Sequence, residues 1–160
     1  MKPLVQLDTK KLAQRLDRVR LAMEVLKRRK SYVKAGVLAS KDARASGEVG
    51  NVELAVIHNY GASTVPARPF ILPPFLKNKK KYRAILTAAF KQSLAQGRPD
   101  DFDRALGLVG MSMQADIRNY VTQGANLATN APSTIKAKGS SRPLVDTGNL
   151  LQSISYEVVS

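Results

Sequence analysis

Apolar residues in the first thirty positions recur at intervals of three and four, the spacing of one face of an α-helix. The residues that share this face are Leu12, Leu16, Val19, Met23 and Leu26. Asp8 or Thr9 can cap the start of the helix, and the basic run at 27–30 suits the negative end of its dipole. The pattern predicts a long amphipathic helix over residues 10–30.

Shorter segments follow this helix. Residues 32–39 combine β-branched and apolar side chains and predict a strand, whereas residues 40–50 show no apolar period and predict a flexible loop. Residues 51–60 fit either a short helix, capped by Asn51 and closed by Gly61, or a second strand, and we favour the helix. Four prolines within residues 65–75 predict an extended, stiff arm, because proline fixes its own φ and restricts the preceding residue.

The second half of the chain predicts two more helices and a final strand. One helix covers residues 75–96 and stops at Gly97; the next opens at Pro99, with acids in its first turn, and ends at Gly124. Alternating residues at 153–159 predict the last strand. We expect one α+β domain over residues 1–160, with a long N-terminal helix and two further helices packed on a small antiparallel β-sheet.

Charge is the unusual property of the composition. Lysine and arginine together number 26 against 12 aspartates and glutamates, which gives a formal net charge of +14. Such an excess indicates an acidic partner, such as nucleic acid or an acidic protein surface, although a solvated basic surface is the simpler alternative. The candidates for contact with DNA or an acidic partner are Lys79, Lys80, Lys81, Lys136, Lys138 and Arg142.

Little in the sequence suggests catalysis. The chain has no Cys and one His, which excludes disulfides and thiolate metal sites. Asp-Thr-Gly at 146–148 resembles half of an aspartic-protease site, but that chemistry needs two carboxylates, so we expect Asp146 to cap a short helical turn. No acidic residue lies at a spacing that would orient His58 as a general base. We therefore expect no enzyme, no cofactor and no metal.

The sequence also has no apolar run long enough for a signal peptide or a transmembrane helix, and we expect neither, nor any membrane partner. The proline arm places the side chains of Arg68 and Phe70 on one side of an extended chain. We expect Phe70 to anchor the arm and Arg68 to contact an acidic group of a neighbouring subunit; the alternative is that Phe70 belongs to the core and Arg68 is simply solvated.

Two blocks of sequence carry a family resemblance. The first is IHNYGAS at 57–63 followed by VPARPFI at 65–71, and the second is NAPSTIKAKGSSRPLVDTGNL at 130–150, which leads into Ser-Ile at 153–154. Both blocks, in this order, are similar to those of bacteriophage tail-completion proteins, also called neck or virion-morphogenesis proteins. The resemblance covers about residues 52–159. Some members have an acid where this chain has Asn59.

The resemblance implies a structural protein that forms a ring, of six subunits, between the head connector and the tail tube of a long-tailed phage. The implied partners are further copies of the chain, the head connector or adaptor, and the tail tube or terminator, with DNA passing through the ring. The implied location is the virion, after assembly in the host cytoplasm. The candidates for the subunit interface are Asn59, Tyr60, Arg68, Pro69 and Phe70. The alternative function is a basic module that contacts the DNA backbone without sequence specificity.

Overall fold

A computed structural model describes residues 8–28, 30–41, 49–96, 98, 101–124, 126–145 and 148–159. Within these ranges the chain forms six α-helices and a two-stranded antiparallel sheet, which confirms the predicted α+β class. The elements are α1 (Thr9–Arg28), β1 (Tyr32–Val37), α2 (Asn51–Tyr60), α3 (Leu72–Gln96), α4 (Asp101–Gln123), α5 (Pro132–Lys138), α6 (Asn149–Ser153) and β2 (Ile154–Val159).

Helix α1 begins at its predicted cap. Asp8 Oδ1 accepts a hydrogen bond from the Lys11 backbone N–H at 3.1 Å, which satisfies one of the backbone donors left open at a helix start. The helix ends at Arg28, slightly earlier than predicted, and it packs against α3.

The sheet joins the beginning and the end of the fold. β1 and β2 pair antiparallel, with Val37 opposite Ile154, and α4 packs across both strands. Gly110 of α4 permits this close approach, because a Cβ at that position would lie 2.9 Å from Val33 Cγ2 and would overlap the ring of Tyr156. The contact between helix and sheet therefore depends on the absence of a side chain at position 110.

Helices α3 and α4 are joined by a short connection and pack against each other extensively. Asp116 on α4 accepts a hydrogen bond from the Tyr82 hydroxyl at 2.7 Å and forms an ion pair with Lys81 at 2.8 Å. Burial, followed by the hydrogen bond to Asp116, raises the pKa of Tyr82 well above its usual value. Tyr82 therefore remains a neutral donor to Asp116, and the two helices are held by a polar contact as well as by apolar packing.

The hydrophobic core lies where α2, α4, α6 and β2 meet the arm between α2 and α3. Phe70 and Ile154 are completely buried. Ile117, Val121 and Leu150 belong to the same cluster. The arm is therefore part of the core and not a peripheral crossing.

The arm is shorter than predicted. Residues 66–70 form neither helix nor strand, but α3 begins at Leu72 and includes Pro73 and Pro74 in its first turn. Backbone N–H groups in a first helical turn have no partner within the helix, so proline loses no hydrogen bond there. The prediction of an extended backbone over residues 72–75 is wrong, since these prolines lie at the start of a helix.

Residues 51–60 are helical, which confirms the favoured alternative. The residue at the N-terminal cap is Gly50, however, and Asn51 is the first residue of α2, while Gly61 closes the helix as predicted. The strand predicted over residues 32–39 ends at Val37, and residues 39–41 form a single turn of 3-10 helix. Residues 42–48 of the predicted loop lie outside the described residues.

The region before the last strand also differs from prediction. Helix α5 has no counterpart among the predicted elements. Helix α6 begins at Asn149 with Gly148 at its N-terminal cap and no side-chain cap. The cap predicted for Asp146 is therefore not at the start of α6, and Asp146 itself lies outside the described residues.

Candidate functional site

The arm that follows α2 is attached to the C-terminal end of that helix. Ala62 and Val65 exchange two backbone hydrogen bonds, at 2.9 and 3.1 Å, and close a turn. Gly61 has φ of +84°, and a Cβ there would lie 3.0 Å from a backbone nitrogen of the arm, so glycine fits best. The Arg68 N–H donates to the His58 carbonyl at 2.7 Å. These contacts fix the position from which the Arg68 side chain leaves the arm.

Arg68 points into the protein and is only 5% exposed. Its Nε donates to the Ala128 carbonyl at 2.7 Å, and Nη2 donates to the Thr129 carbonyl at 3.0 Å and to Asn130 Oδ1 at 3.3 Å. All three acceptors are neutral, and burial lowers the pKa of Arg68 from its usual value. The prediction that Arg68 reaches outward to a neighbouring subunit is corrected, because its described bonds lie within the chain.

Asn130 connects Arg68 to a third segment. Its Nδ2 donates to the carbonyls of Ser141 and Arg142, at 3.4 and 3.2 Å, while its Oδ1 accepts from Arg68. One buried polar network therefore joins the arm to residues 128–130 and 141–142. Sequence reasoning missed Asn130, because its partners are groups at least eleven residues away.

A pocket of about 360 Å³ opens beside this network. Arg68, Asn130 and His58 are among the polar residues that line it, and Leu54 and Leu150 are among the apolar ones. The described part of the wall contains no Asp or Glu. We call this space the Arg68 pocket; it combines one buried cation with apolar surface.

The other candidates of the arm divide between core and surface. Phe70 is completely buried, so it anchors the arm as expected. Its N–H donates to Asn59 Oδ1 at 3.2 Å, which gives that partly buried asparagine an internal role. Pro69 is exposed, and Tyr60 is 77% exposed. Only Pro69 and Tyr60 of the five interface candidates therefore offer substantial surface.

An apolar groove of about 430 Å³ lies along the face of α2 opposite the Arg68 pocket. Val37 of β1, Val56 and Tyr60 of α2, and Leu72 and Phe75 of α3 form much of its wall. Val56, Tyr60 and Leu72 are each more than half exposed. We call this space the α2–α3 groove. Sequence reasoning missed its α3 side, because it assigned residue 72 to the extended arm.

The apolar face predicted for α1 is present, but much of it is open to solvent. Leu16 is 60% exposed, and Leu12 and Met23 are also exposed, while Val19 is partly buried. We call Leu12, Leu16, Val19 and Met23 the α1 stripe. An apolar row of this kind on a helix surface is typical of a site that contacts another surface.

The basic candidates lie on two parts of the fold. The first group, on α3, is Lys79, Lys80 and Lys81; the second, on α5 and the residues after it, is Lys136, Lys138 and Arg142. Lys81 is bound to Asp116. The side chains of Lys79, Lys80, Lys136 and Arg142 are exposed, so they are available to an acidic partner.

Among the described residues, no three His, Asp or Glu side chains are grouped so that they could hold a metal ion. Within the same ranges, no helix has both the length and the apolar character needed to cross a bilayer. Comparison of the chain with protein-family models, with curated proteins and with solved structures finds no match.

Proposed function

We propose that this chain is a structural virion protein of a long-tailed phage, without enzymatic activity. Copies of the chain form a ring of six at the neck, where the ring completes the tail and joins it to the head connector. The sequence resemblance over residues 52–159 suggests this function. The structural observation that best supports it is that one chain exposes two separate apolar surfaces, the α1 stripe and the α2–α3 groove.

Two different surfaces are what a closed ring requires. In a ring, each subunit contacts its neighbour through one surface and is contacted through another, so the interface is heterologous. The chain supplies a convex apolar row on α1 and a concave apolar groove between α2 and α3. In our proposal, the α1 stripe of one copy lies in the α2–α3 groove of the next.

The size of this contact predicts how the ring assembles. Helix α1 has 20 residues, so it is about 30 Å long and about 10 Å wide, with a footprint on the order of 300 Å². Stable complexes bury about 800 Å² per partner. We therefore expect isolated copies to associate weakly and to close into a ring on the head connector or the tail end, where several contacts act together.

The exposed cations suit the other partners of such a ring. Lys79, Lys80, Lys136 and Arg142 lie at the surface and belong to neither the α1 stripe nor the α2–α3 groove. They are available to acidic faces of the connector, the tail tube or the terminator, or to the DNA that passes through the ring.

The proposal is tested by removing the protein from the phage that encodes it and complementing the defect with variants. We expect electron micrographs of the deletion to show separate filled heads and tails, and wild-type protein to restore joined particles. Leu16→Gln, in the α1 stripe, should fail to restore them.

Leu21→Gln is the matched control, because Leu21 is 63% exposed but lies on the opposite side of α1 from the stripe. It should restore joined particles. Normal particles from the deletion phage would contradict the neck function. Equal complementation by the two variants would contradict the role of the stripe.

A basic DNA-binding module remains the second candidate, favoured by the same exposed lysines and arginine. That function predicts binding of the isolated chain to duplex DNA, with an affinity that falls steeply as salt rises. Replacing Lys79, Lys80, Lys136 and Arg142 by Gln would then weaken DNA binding. The same variant should still form rings, because none of these residues belongs to the α1 stripe or the α2–α3 groove.

A further inference from the structure

The Arg68 side chain carries a charge that none of its described contacts neutralises. Arginine has five N–H donors, and the described bonds of Arg68 run from Nε and Nη2 to two carbonyls and one amide oxygen. These neutral acceptors hold the guanidinium in place but leave its positive charge intact. A buried ion without a counter-charge is unfavourable unless a partner compensates it.

The residues that line the Arg68 pocket indicate which chemical class of partner fits it. Its described residues include one arginine and no acid, and aliphatic side chains of Leu54, Val65, Leu144 and Leu150 form much of the remainder. A carboxylate has a single negative charge and two oxygens in a plane, which match one guanidinium. A phosphate monoester carries nearly two charges, so one arginine would leave it partly uncompensated.

We propose that the Arg68 pocket binds a carboxylate carried on a short apolar stem. An acidic side chain of a protein neighbour and a small free carboxylic acid share this chemistry. Arg68 supplies the charge, and the aliphatic wall contacts the stem. The site belongs to the single chain, so this inference does not depend on ring formation.

The test measures the melting temperature of the purified full chain in sodium propionate, against sodium chloride at equal ionic strength. A ligand that binds the folded state raises the melting temperature in a saturable way. We expect propionate to do so and chloride not to. A second arm compares a blocked Gly-Glu-Gly peptide with its Gly-Gln-Gly counterpart, and we expect only the glutamate peptide to act.

These two arms distinguish the sources of the carboxylate. A response to both propionate and the glutamate peptide supports a site open to protein side chains. A response to propionate alone supports a site for a small free acid. A melting temperature that rises equally in propionate and chloride overturns the proposal.

A pair of variants locates the response without removing Arg68, whose loss would also lower the stability of the fold. Thr134 is exposed on α5 and lines the pocket, so Thr134→Glu adds a carboxylate to the wall. We expect this variant to weaken propionate binding by about tenfold or more, because a tethered competitor acts at an effective concentration in the millimolar range. Thr134→Gln should keep the wild-type response.

Ser133→Glu is the matched control, because it adds the same charge to the same turn of α5 but does not line the pocket. It should also keep the response. Equal loss in Ser133→Glu and Thr134→Glu would overturn the assignment to this pocket. A response that appears only in Asp146→Asn would overturn it as well, since the occupant would then be the chain's own carboxylate.

Discussion

The Arg68 network and helix α1 differ in which kind of side chain is buried and which is exposed. The arm buries a guanidinium at 5% exposure, and three neutral oxygens of residues 128–130 hold it. Helix α1 instead leaves Leu12, Leu16 and Met23 exposed to solvent. A charged residue lies inside and a row of apolar residues lies outside, the reverse of the usual arrangement.

The Arg68 network and the α1 stripe have different roles in the same chain. The Arg68 network fixes one arrangement of three segments, because buried polar groups accept only partners with the right geometry. The α1 stripe contributes little to the stability of the isolated chain, because its apolar area remains in water. Removing groups from the first region should therefore lower stability, whereas removing them from the second should affect assembly.

Phe70→Ala should give the largest effect. Phe70 is completely buried and anchors the arm that carries Arg68, so the lost contacts and the remaining cavity should lower the free energy of unfolding by about 3–5 kcal/mol. Urea denaturation measures this difference. Phe75→Ala, at a half-exposed ring in the groove, is the control and should cost clearly less. Equal losses would show that the arm is not anchored through Phe70.

Arg68→Ala should have the second largest effect. It removes three hydrogen bonds and leaves the carbonyls of Ala128 and Thr129 without their described donor, which should lower the free energy of unfolding by about 2–3 kcal/mol. Arg142→Ala removes the same charge at an exposed position and should change it by less than about 0.5 kcal/mol. If the two variants unfold at the same urea concentration, Arg68 has no structural role.

Leu16→Gln should have the smallest effect on the isolated chain. Leu16 is largely exposed, so we expect the free energy of unfolding to change by less than about 0.5 kcal/mol, as for Leu21→Gln. Thermal unfolding of the two purified variants checks this. A marked loss specific to Leu16→Gln would mean that the stripe is packed within the chain.

The sequence predicts α1 well, because its apolar period, its cap at Asp8 and the basic residues at its end agree with each other. It does not predict the environment of Arg68. The partners of that side chain are backbone carbonyls about sixty residues away, and no local pattern reports them. The local sequence also does not predict where α3 begins, since Pro73 and Pro74 are compatible with both an extended arm and a first helical turn.

The most direct test of the proposed ring uses engineered cysteines, which the natural sequence lacks. In particles that carry Leu16→Cys and Leu72→Cys together, oxidation should link the α1 stripe of each copy to the groove of the next. A non-reducing gel should then show a ladder that ends at a closed hexamer. Leu21→Cys with Leu76→Cys should give none, because Leu76 is an exposed residue of α3 that does not line the groove. Dimers alone, or the same ladder from both pairs, would contradict a ring built from these two surfaces.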